Sequence, residues 1–292
     1  MKRRLFLRIL GLSSLFYRWS LQDLAAADRP LVAVADGKGY AQVTRNAIAA
    51  LGGMKRFVKP GDVVVVKPNI GWDRSPEQAA NTHPLVVRAI AEEALRAGAK
   101  KVKVFDRSCN DERRCYANSG IIDGLAGLKG LELKHIEPER FKKAHLSGTG
   151  KEWELYGEAM SADVFINVPI AKHHELTGLT LAIKNMMGIM GGNRGGIHGN
   201  IENILADVNT LRRSNLVVID ATRILVAHGP QGGAPEDVRV LNKVIASTDI
   251  VAADAYATTL FGLKPEAITT TVAAYKRGLG EINLNKITIV KA

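Results

Sequence analysis

The chain has 292 residues, of which 46% are hydrophobic and 24% charged, as is typical of a globular protein with a buried core. Aromatic residues make up only 5%, which argues against a protein that stacks sugars or single-stranded nucleic acid on aromatic side chains. The formal net charge is +11, and no helix-turn-helix, zinc-finger or RNA-binding signature accompanies it. The charge therefore favours a solvated basic face, then a site for small anions, and nucleic acid last.

The first 27 residues resemble a signal peptide of the twin-arginine translocation pathway. Arg3 and Arg4 precede Leu-Phe-Leu, and a mostly apolar stretch, 9–17, follows. That stretch is too short to cross a bilayer, which takes about 20 apolar residues, but it fits the core of a signal peptide. Three alanines, 25–27, supply small side chains at a cleavage site. An amphipathic N-terminal helix or a retained anchor is the alternative.

This pattern predicts that residues 28–292 reach the periplasm already folded, because the twin-arginine pathway carries folded proteins. The translocation machinery is therefore an expected partner, as is a small-molecule ligand, whereas nucleic acid is not. Export after folding also favours a cofactor or metal bound beforehand, without identifying one. No other segment is long and apolar enough to predict a stable membrane span.

Strand-like and helix-like patterns alternate after the signal. The β-branched run 62–67 is typical of a strand buried on both faces of a parallel sheet, and Thr82 with Pro84 marks a helix start. Strands alternating with helices of 10–15 residues predict an α/β fold, with mostly parallel sheets of βαβ units in two closely packed lobes of one domain, 28–292. An irregular polar insertion is expected over about 107–160. Further strands are predicted at 31–35, 101–105, 164–168, 216–219, 244–247 and 287–290, and helices at 41–51, 84–97, 176–187, 201–212, 249–261 and after 265.

Polar residues come directly after several of the predicted strands. Since the carboxyl ends of parallel strands meet at one edge of a sheet, and ligands bind there, these side chains are expected to position a ligand. They are Lys67, Asn69, Asp106, Lys172 and Asp220. His83, just before a helix start, is a further ligand-binding candidate, although a structural role at the helix start is equally compatible with the pattern.

The most informative segment runs from 167 to 188. Lys184 interrupts an apolar stretch, and a buried ammonium must be paired or lose its proton easily, which makes the amine usable as a base or nucleophile. We therefore expect Lys184 and His174 to be catalytic and Asn185 to bind the ligand. The alternative is a structural lysine whose amine reaches water. The pair His174-Glu175 is not a zinc-protease motif, because position 178 is glycine.

A glycine-rich loop follows at 188–199 and leads into a helix. Backbone amides in such a loop suit an anion, and Arg194 and His198 are expected to contact the same ligand. The loop matches neither the Walker pattern nor the dinucleotide-binding fingerprint. A surface loop without a ligand is an equal alternative.

Cys109 and Cys115 are the two cysteines of the chain. A short-loop disulfide, free thiols and metal ligation all remain open for them in an oxidising compartment. A metal is a candidate cofactor of unknown identity, and its candidate ligands are His173, His174 and the two cysteines. An iron–sulfur cluster is not expected, because two cysteines cannot supply four thiolates.

Several short motifs together resemble the family known as domain of unknown function 362, over about 30–260. They are Val65-Val-Lys-Pro-Asn69, Thr82-His-Pro84, Lys172-His-His174 with Leu176-Thr-Gly178, Ala182-Ile-Lys-Asn185, Asp220, Gly229-Pro230, and Thr248-Asp249 with Ala252-Ala-Asp254. Many members carry a ferredoxin-like module. Its cysteines do not occur in this chain, so the resemblance does not imply electron transfer here.

The family is similar in turn to the nickel-pincer lactate racemase, a two-lobed α/β enzyme. In that enzyme a histidine and a lysine ten residues later face the active site, and the lysine tethers the cofactor. His174 and Lys184 have the same spacing. The resemblance therefore implies a role for this pair.

These observations lead to two hypotheses. The first is a periplasmic, enzyme-like protein that binds a small anionic organic molecule, with or without a metal, in a cleft between the lobes. In it Lys184 is the base or tether, and His174 is the acid–base group or a metal ligand. The second is a non-catalytic solute-binding protein or an accessory protein of a redox system.

Overall fold

The fold is built on a ten-stranded sheet and a separate two-stranded hairpin. The computed structural model describes residues 29–292, so the signal-like segment 1–27 lies outside the described residues. The strands are β1 (Leu31–Asp36), β2 (Val63–Pro68), β3 (Lys101–Val104), β4 (Leu131–Leu133), β5 (Phe141–Leu146), β6 (Lys151–Tyr156), β7 (Val164–Val168), β8 (Ile170–His174), β9 (Gly178–Thr180), β10 (Leu216–Leu225), β11 (Val238–Ser247) and β12 (Thr288–Lys291).

The α-helices alternate with these strands along much of the chain. They are α1 (Tyr40–Ala50), α2 (Pro84–Arg96), α3 (Glu112–Asn118), α4 (Ile121–Leu125), α5 (Gly157–Ser161), α6 (Ala182–Asn185), α7 (Ile201–Leu211), α8 (Ile250–Thr259) and α9 (Thr269–Lys276). Within 29–292, no helix is both long and apolar enough to cross a membrane.

The main sheet follows the order β12-β1-β11-β10-β7-β2-β3-β4, and the β8–β9 hairpin joins it through β10. Its central strands β10, β7, β2 and β3 are parallel neighbours, whereas β11 runs antiparallel to both β1 and β10. The predicted α/β class with a mostly parallel sheet is confirmed. Strands β5 and β6 form the separate antiparallel pair.

Each face of the sheet carries its own apolar core. Along β2, Val64 and Val66 pack into the core that contains α1 to α4, whereas Val65 packs into the core that contains α5 to α9. This alternation follows from the two-residue period of a strand. Because helices cover both faces, the continuous valine run of β2 is fully buried from Val64 to Val66, as its sequence predicts.

Three segments differ from the sequence-based predictions. The first half of the predicted helix 176–187 is wrong: Gly178 adopts a φ of 72°, which turns the chain into β9, and the helical part begins only at α6 and continues as a 3-10 helix, Met186–Ile189. The strand predicted at 216–219 continues to Leu225, because the polar residues that interrupt its apolar pattern are buried and hydrogen-bonded to one another. The segment 107–160, expected to be irregular, contains α3, α4, β4 and the β5–β6 hairpin.

A substitution at Phe165 tests how much the apolar core around β7 contributes to the stability of the fold. The substitution Phe165→Ala should lower the free energy of unfolding by about 3 to 5 kcal/mol, because this fully buried ring leaves a cavity. Urea denaturation measures the change. Val240→Ala on the exposed part of β11 is the control and should stay within about 0.5 kcal/mol of the unchanged protein. A loss below about 1 kcal/mol for Phe165→Ala would contradict the packing described here.

Candidate functional site

A pocket of about 520 Å³ opens at the carboxyl ends of the central strands. Its position agrees with the general rule for open α/β sheets. The side chains that line it come from β2, from the loop after β3, from the β8–β9 hairpin, from α6 and from the glycine-rich loop. Ten predicted site residues meet there: Lys67, Asn69, Asp106, Cys109, Lys172, His174, Lys184, Asn185, Arg194 and His198.

A buried ion pair forms the floor of this pocket. The Lys67 ammonium lies 2.8 Å from a carboxylate oxygen of Asp106, and both side chains are almost fully buried. Lys67 also donates to the Pro68 carbonyl and to Asn185 Oδ1, each at 2.9 Å. Burial lowers the pKa of Lys67, and the attraction to Asp106 opposes this shift. A Cβ at Gly188 would collide with both charged groups, which explains glycine at that position.

Asn185 connects the ion pair to the sheet. Its amide nitrogen donates to the Lys67 carbonyl at 3.2 Å and to Asn167 Oδ1 at 2.8 Å. Asn167, in the middle of buried β7, in turn donates to the Ala182 carbonyl at 2.8 Å. These bonds fix α6 above the ends of β2 and β7, so Asn185 acts mainly as a structural connector at the edge of the pocket.

The first turn of α6 is held by a carboxylate from α8. Asp254 accepts hydrogen bonds from the Ala182 and Ile183 amides, at 2.8 and 3.0 Å. Burial raises the pKa of Asp254 to about 7. Because α6 is only four residues long, this contact sets the direction in which Lys184 leaves the helix.

Lys184 and Lys172 bring two further amines to the pocket, and neither has a carboxylate partner within 29–292. The Lys184 amine contacts the Met187 sulfur at 3.4 Å. The Lys172 amine donates to the Ala80 carbonyl at 2.5 Å and lies 5.7 Å from the centre of the Trp72 ring. Burial is the main cause that lowers the pKa of Lys184 to about 8 and that of Lys172 to about 7.

His174 is a neutral hydrogen-bond donor in this pocket. Its Nδ1 accepts the Leu176 amide hydrogen at 3.2 Å, so the proton of the neutral ring is on Nε2. Burial, reinforced by the charges of Lys184 and Lys172, lowers its pKa to about 3. The Nδ1 of His173 likewise accepts the Gly229 amide hydrogen at 3.1 Å, and His173 is not among the pocket residues.

Arg194 and His198 come from the glycine-rich loop. The Arg194 guanidinium donates to the carbonyls of Arg107 and Ser108, at 2.8 and 2.7 Å, and so ties this loop to the segment after β3. The exposed His198 has its Nδ1 2.6 Å from the Gly195 carbonyl. The loop is therefore held by side chain to backbone contacts while it contributes positive charge to the pocket rim.

Two predicted ligand-binding residues, His83 and Asp220, lie outside the pocket. The His83 ring stacks on Tyr40 at 3.6 Å, and its Nδ1 accepts the Leu85 amide hydrogen at the start of α2. Asp220 is fully buried, pairs with Arg223 at 2.5 Å and accepts the His83 amide hydrogen at 2.7 Å. Burial lowers the pKa of His83 to about 4. Both residues attach α2 to β10.

The cysteines and histidines do not assemble into a metal centre. Cys109 is an exposed free thiol at the pocket, and Cys115 is a buried free thiol on α3, so they form no disulfide in this structure. Across residues 29–292, no group of three or more His, Cys, Asp or Glu side chains is arranged to hold a metal ion. The described side chains therefore do not fit a nickel ion or another metal ion held by histidines, cysteines and carboxylates.

Sequence reasoning missed several pocket residues. Trp72 and Arg107 line the pocket but fall outside the short motifs, whereas Thr180 and Met187 lie within the segment 167–188 and were not singled out there. Thr180 lies on β9, which begins at Gly178. Because a helix was predicted over 176–187, the sequence did not place Thr180 on a strand beside Lys172. Arg223 was missed as the buried partner of Asp220, because its side chain lies on a strand longer than the one predicted.

A family model described as a domain of unknown function, DUF362, matches residues 64–259. The chain belongs to this family. It is also 30% identical over 243 residues to a thylakoid-associated protein of Synechocystis sp., a match that covers 80% of this chain and 74% of that protein. The resemblance read from the short motifs is thereby confirmed.

The DUF362 fold is similar to two solved structures at 12% sequence identity. One is a protein from Thermotoga maritima, with a TM-score of 0.48 over 76% of this chain and 59% of that one. The other is the lactate racemase apoprotein from Thermoanaerobacterium thermosaccharolyticum, with a TM-score of 0.46 over 74% of this chain and 54% of that one. This chain thus spans little more than half of either protein.

The pKa of Lys172 leads to a prediction about stability. Its folded-state pKa of about 7 lies below the unfolded value near 10.4, so the buried charge is unfavourable below pH 7 and this penalty disappears as the pH rises toward 10. Between pH 7 and 10, the free energy of unfolding of the unchanged protein should therefore rise, relative to that of Lys172→Met, by up to about 1.4 kcal/mol per pH unit.

Urea denaturation at a series of pH values measures this difference. Lys129→Met, at an exposed lysine, is the matched control and should follow the unchanged protein at every pH. A stability difference for Lys172→Met that stays constant from pH 7 to 10 would show that the folded-state pKa of Lys172 is not lowered.

Proposed function

We propose that this DUF362 protein binds a small anionic organic molecule in the pocket at the carboxyl end of the sheet and acts on it in an enzyme-like manner. The observation that carries the proposal is the pair of buried amines, Lys172 and Lys184, that line one pocket and form no ion pair with a carboxylate of residues 29–292. Buried ammonium groups without a counter-ion are costly, and such groups concentrate at functional sites.

The charges around the pocket support an anion. Asp106 is paired with Lys67, so it offsets the charge of Lys172 only in part and forms no ion pair with it. Arg107 and Arg194 add two guanidinium groups from the rim, and the facing carboxylate, Glu175, is exposed. A bound anion would supply the missing negative charge and favour the protonated form of both amines.

The same arrangement offers chemistry besides binding. A lysine with a pKa near 8 is partly neutral close to physiological pH, so Lys184 can take up a proton when the anion binds and can then exchange it with the bound molecule. The low pKa of His174 keeps its ring neutral, with the proton on Nε2. The ring can therefore donate a hydrogen bond from Nε2 to an oxygen on which negative charge develops. Trp72, Leu176 and Met187 provide apolar surface for the carbon part of the molecule.

Binding of small organic anions tests the proposal. Isothermal titration calorimetry on the full chain compares phenylacetate, phenyl phosphate and benzenesulfonate with neutral benzyl alcohol. At least one anion should bind, and Lys184→Met should weaken that binding about tenfold or more, since a charge-assisted contact is lost. Lys129→Met should bind as the unchanged protein does. The proposal fails if all three anions bind no better than benzyl alcohol, or if Lys184→Met binds them as tightly as before.

We also propose that the chain is exported to the periplasm by the twin-arginine pathway. The support is the sequence of residues 1–27, in which Arg3 and Arg4 precede a short apolar stretch. Replacing both with lysine should leave the protein in the cytoplasm, as measured by cell fractionation of a bacterium that expresses it. Lys2→Gln, which retains both arginines, is the control and should be exported. Equal periplasmic amounts of the double variant and the control would contradict the route.

A further inference from the structure

We infer that the β8–β9 hairpin forms a subsite for the carboxylate group of the bound molecule, and that the Thr180 hydroxyl is a specificity-determining contact in it. This inference rests on the proposed function, because it names the chemical class of the anion that the pocket takes. The other two donors of the subsite are the Lys172 amine and the Nε2–H of His174.

The register of the hairpin places these three groups together. Lys172 on β8 lies directly opposite Thr180 on β9, and His174 lies opposite Gly178. Directly opposite residues of an antiparallel pair share a face, as do residues two apart on one strand. All three side chains therefore point to the same side, and all three line the pocket. Leu179, which points to the other side, is buried in the apolar core.

The Thr180 hydroxyl is the observation that points to a ligand. Its Oγ1 is buried, and no hydrogen-bond partner for it exists among residues 29–292, although the residue is only 4% exposed. A buried polar group without a partner costs about 1 to 3 kcal/mol. By contrast, the Thr177 hydroxyl on the same hairpin donates to the Leu179 carbonyl at 3.1 Å. Thr180 lines the pocket together with Lys172 and His174, so an oxygen of a molecule bound there would supply the partner that this hydroxyl lacks.

The donors favour a carboxylate on an organic molecule. A carboxylate has two oxygens with about four acceptor positions, enough to receive an ammonium, an imidazole N–H and a hydroxyl at once. Trp72, Leu176 and Pro230 line the same pocket and give apolar surface beside these donors. An inorganic anion would leave that surface uncovered, whereas an aryl or alkyl carboxylate would cover it.

Phenylacetate binding to the full chain, measured by calorimetry, tests the subsite. Thr180→Val, which removes the hydroxyl at nearly constant shape, should weaken binding about tenfold or more, because a hydrogen bond to a charged group is lost. Thr180→Ser, which keeps the hydroxyl, should bind much more tightly than Thr180→Val. Thr271→Val is the matched control, because the Thr271 hydroxyl on α9 is also buried without a partner in the described chain and is not among the pocket residues.

Thermal unfolding separates a ligand contact from a structural one. Because the Thr180 hydroxyl makes no hydrogen bond to any of the described residues, Thr180→Val should unfold at the same temperature or higher. A clearly lower unfolding temperature would show a structural role and overturn the inference. Wild-type affinity of Thr180→Val for phenylacetate, together with a loss in Lys184→Met, would overturn the subsite but leave the proposed function intact.

The ligand class is tested with two further probes. Phenylacetamide, which has the same shape without the charge, should bind far more weakly than phenylacetate. Equal binding of the amide would overturn the carboxylate assignment. Binding of phenyl phosphate without binding of phenylacetate would also overturn it, while it would still support an anionic ligand for the pocket.

Discussion

Two opposite charges, Lys67 and Asp106, meet at 2.8 Å in the interior and connect the parts of the chain that build the pocket. Lys67 is the second-last residue of β2, Asp106 follows β3, and Asn185 on α6 accepts a hydrogen bond from Lys67. Removing one member of such a pair would leave an uncompensated buried charge, which typically costs about 3 to 5 kcal/mol. The pocket geometry therefore depends on this contact, since it fixes the position of α6 relative to the sheet.

The lysines of the pocket are similar in burial but different in surroundings. The Lys67 amine has a carboxylate and two further oxygen partners, so its charge is balanced inside the protein. Within the part of the chain that the structure describes, the Lys184 amine has a sulfur as its one polar contact, and the Lys172 amine has uncharged oxygens and an aromatic ring. The three ammonium charges also repel one another. Because Asp106 balances the charge of Lys67, Lys172 and Lys184 are the two lysines that lose their protons most easily. This difference separates the structural lysine from the two candidate functional lysines.

Much of the fold and part of the site follow from the sequence. The valine run of β2 and the polar residues after β2 and β3 predict a buried parallel strand and a shared rim, and both are found. The β8–β9 hairpin was not predictable from periodicity, because its turn depends on the conformation of Gly178 and its apolar residues also match a helix. Asp220 was expected at the rim because it follows a predicted strand, as Asp106 does. It lies instead within β10, where its carboxylate pairs with the buried Arg223.

The features that identify the site are unfavourable in the free protein. The Lys172 and Lys184 amines lack a counter-ion in the described chain, and the Thr180 hydroxyl there lacks a partner, although each of these side chains is more than nine-tenths buried. A sequence selected for stability alone would replace such groups with apolar residues. In the proposed complex, one carboxylate is the counter-ion of the Lys172 amine and accepts the Thr180 hydrogen bond, and its charge also favours the protonated form of the Lys184 amine in the same pocket. Its binding also raises the pKa of both amines, so binding near neutral pH is coupled to proton uptake by the pocket.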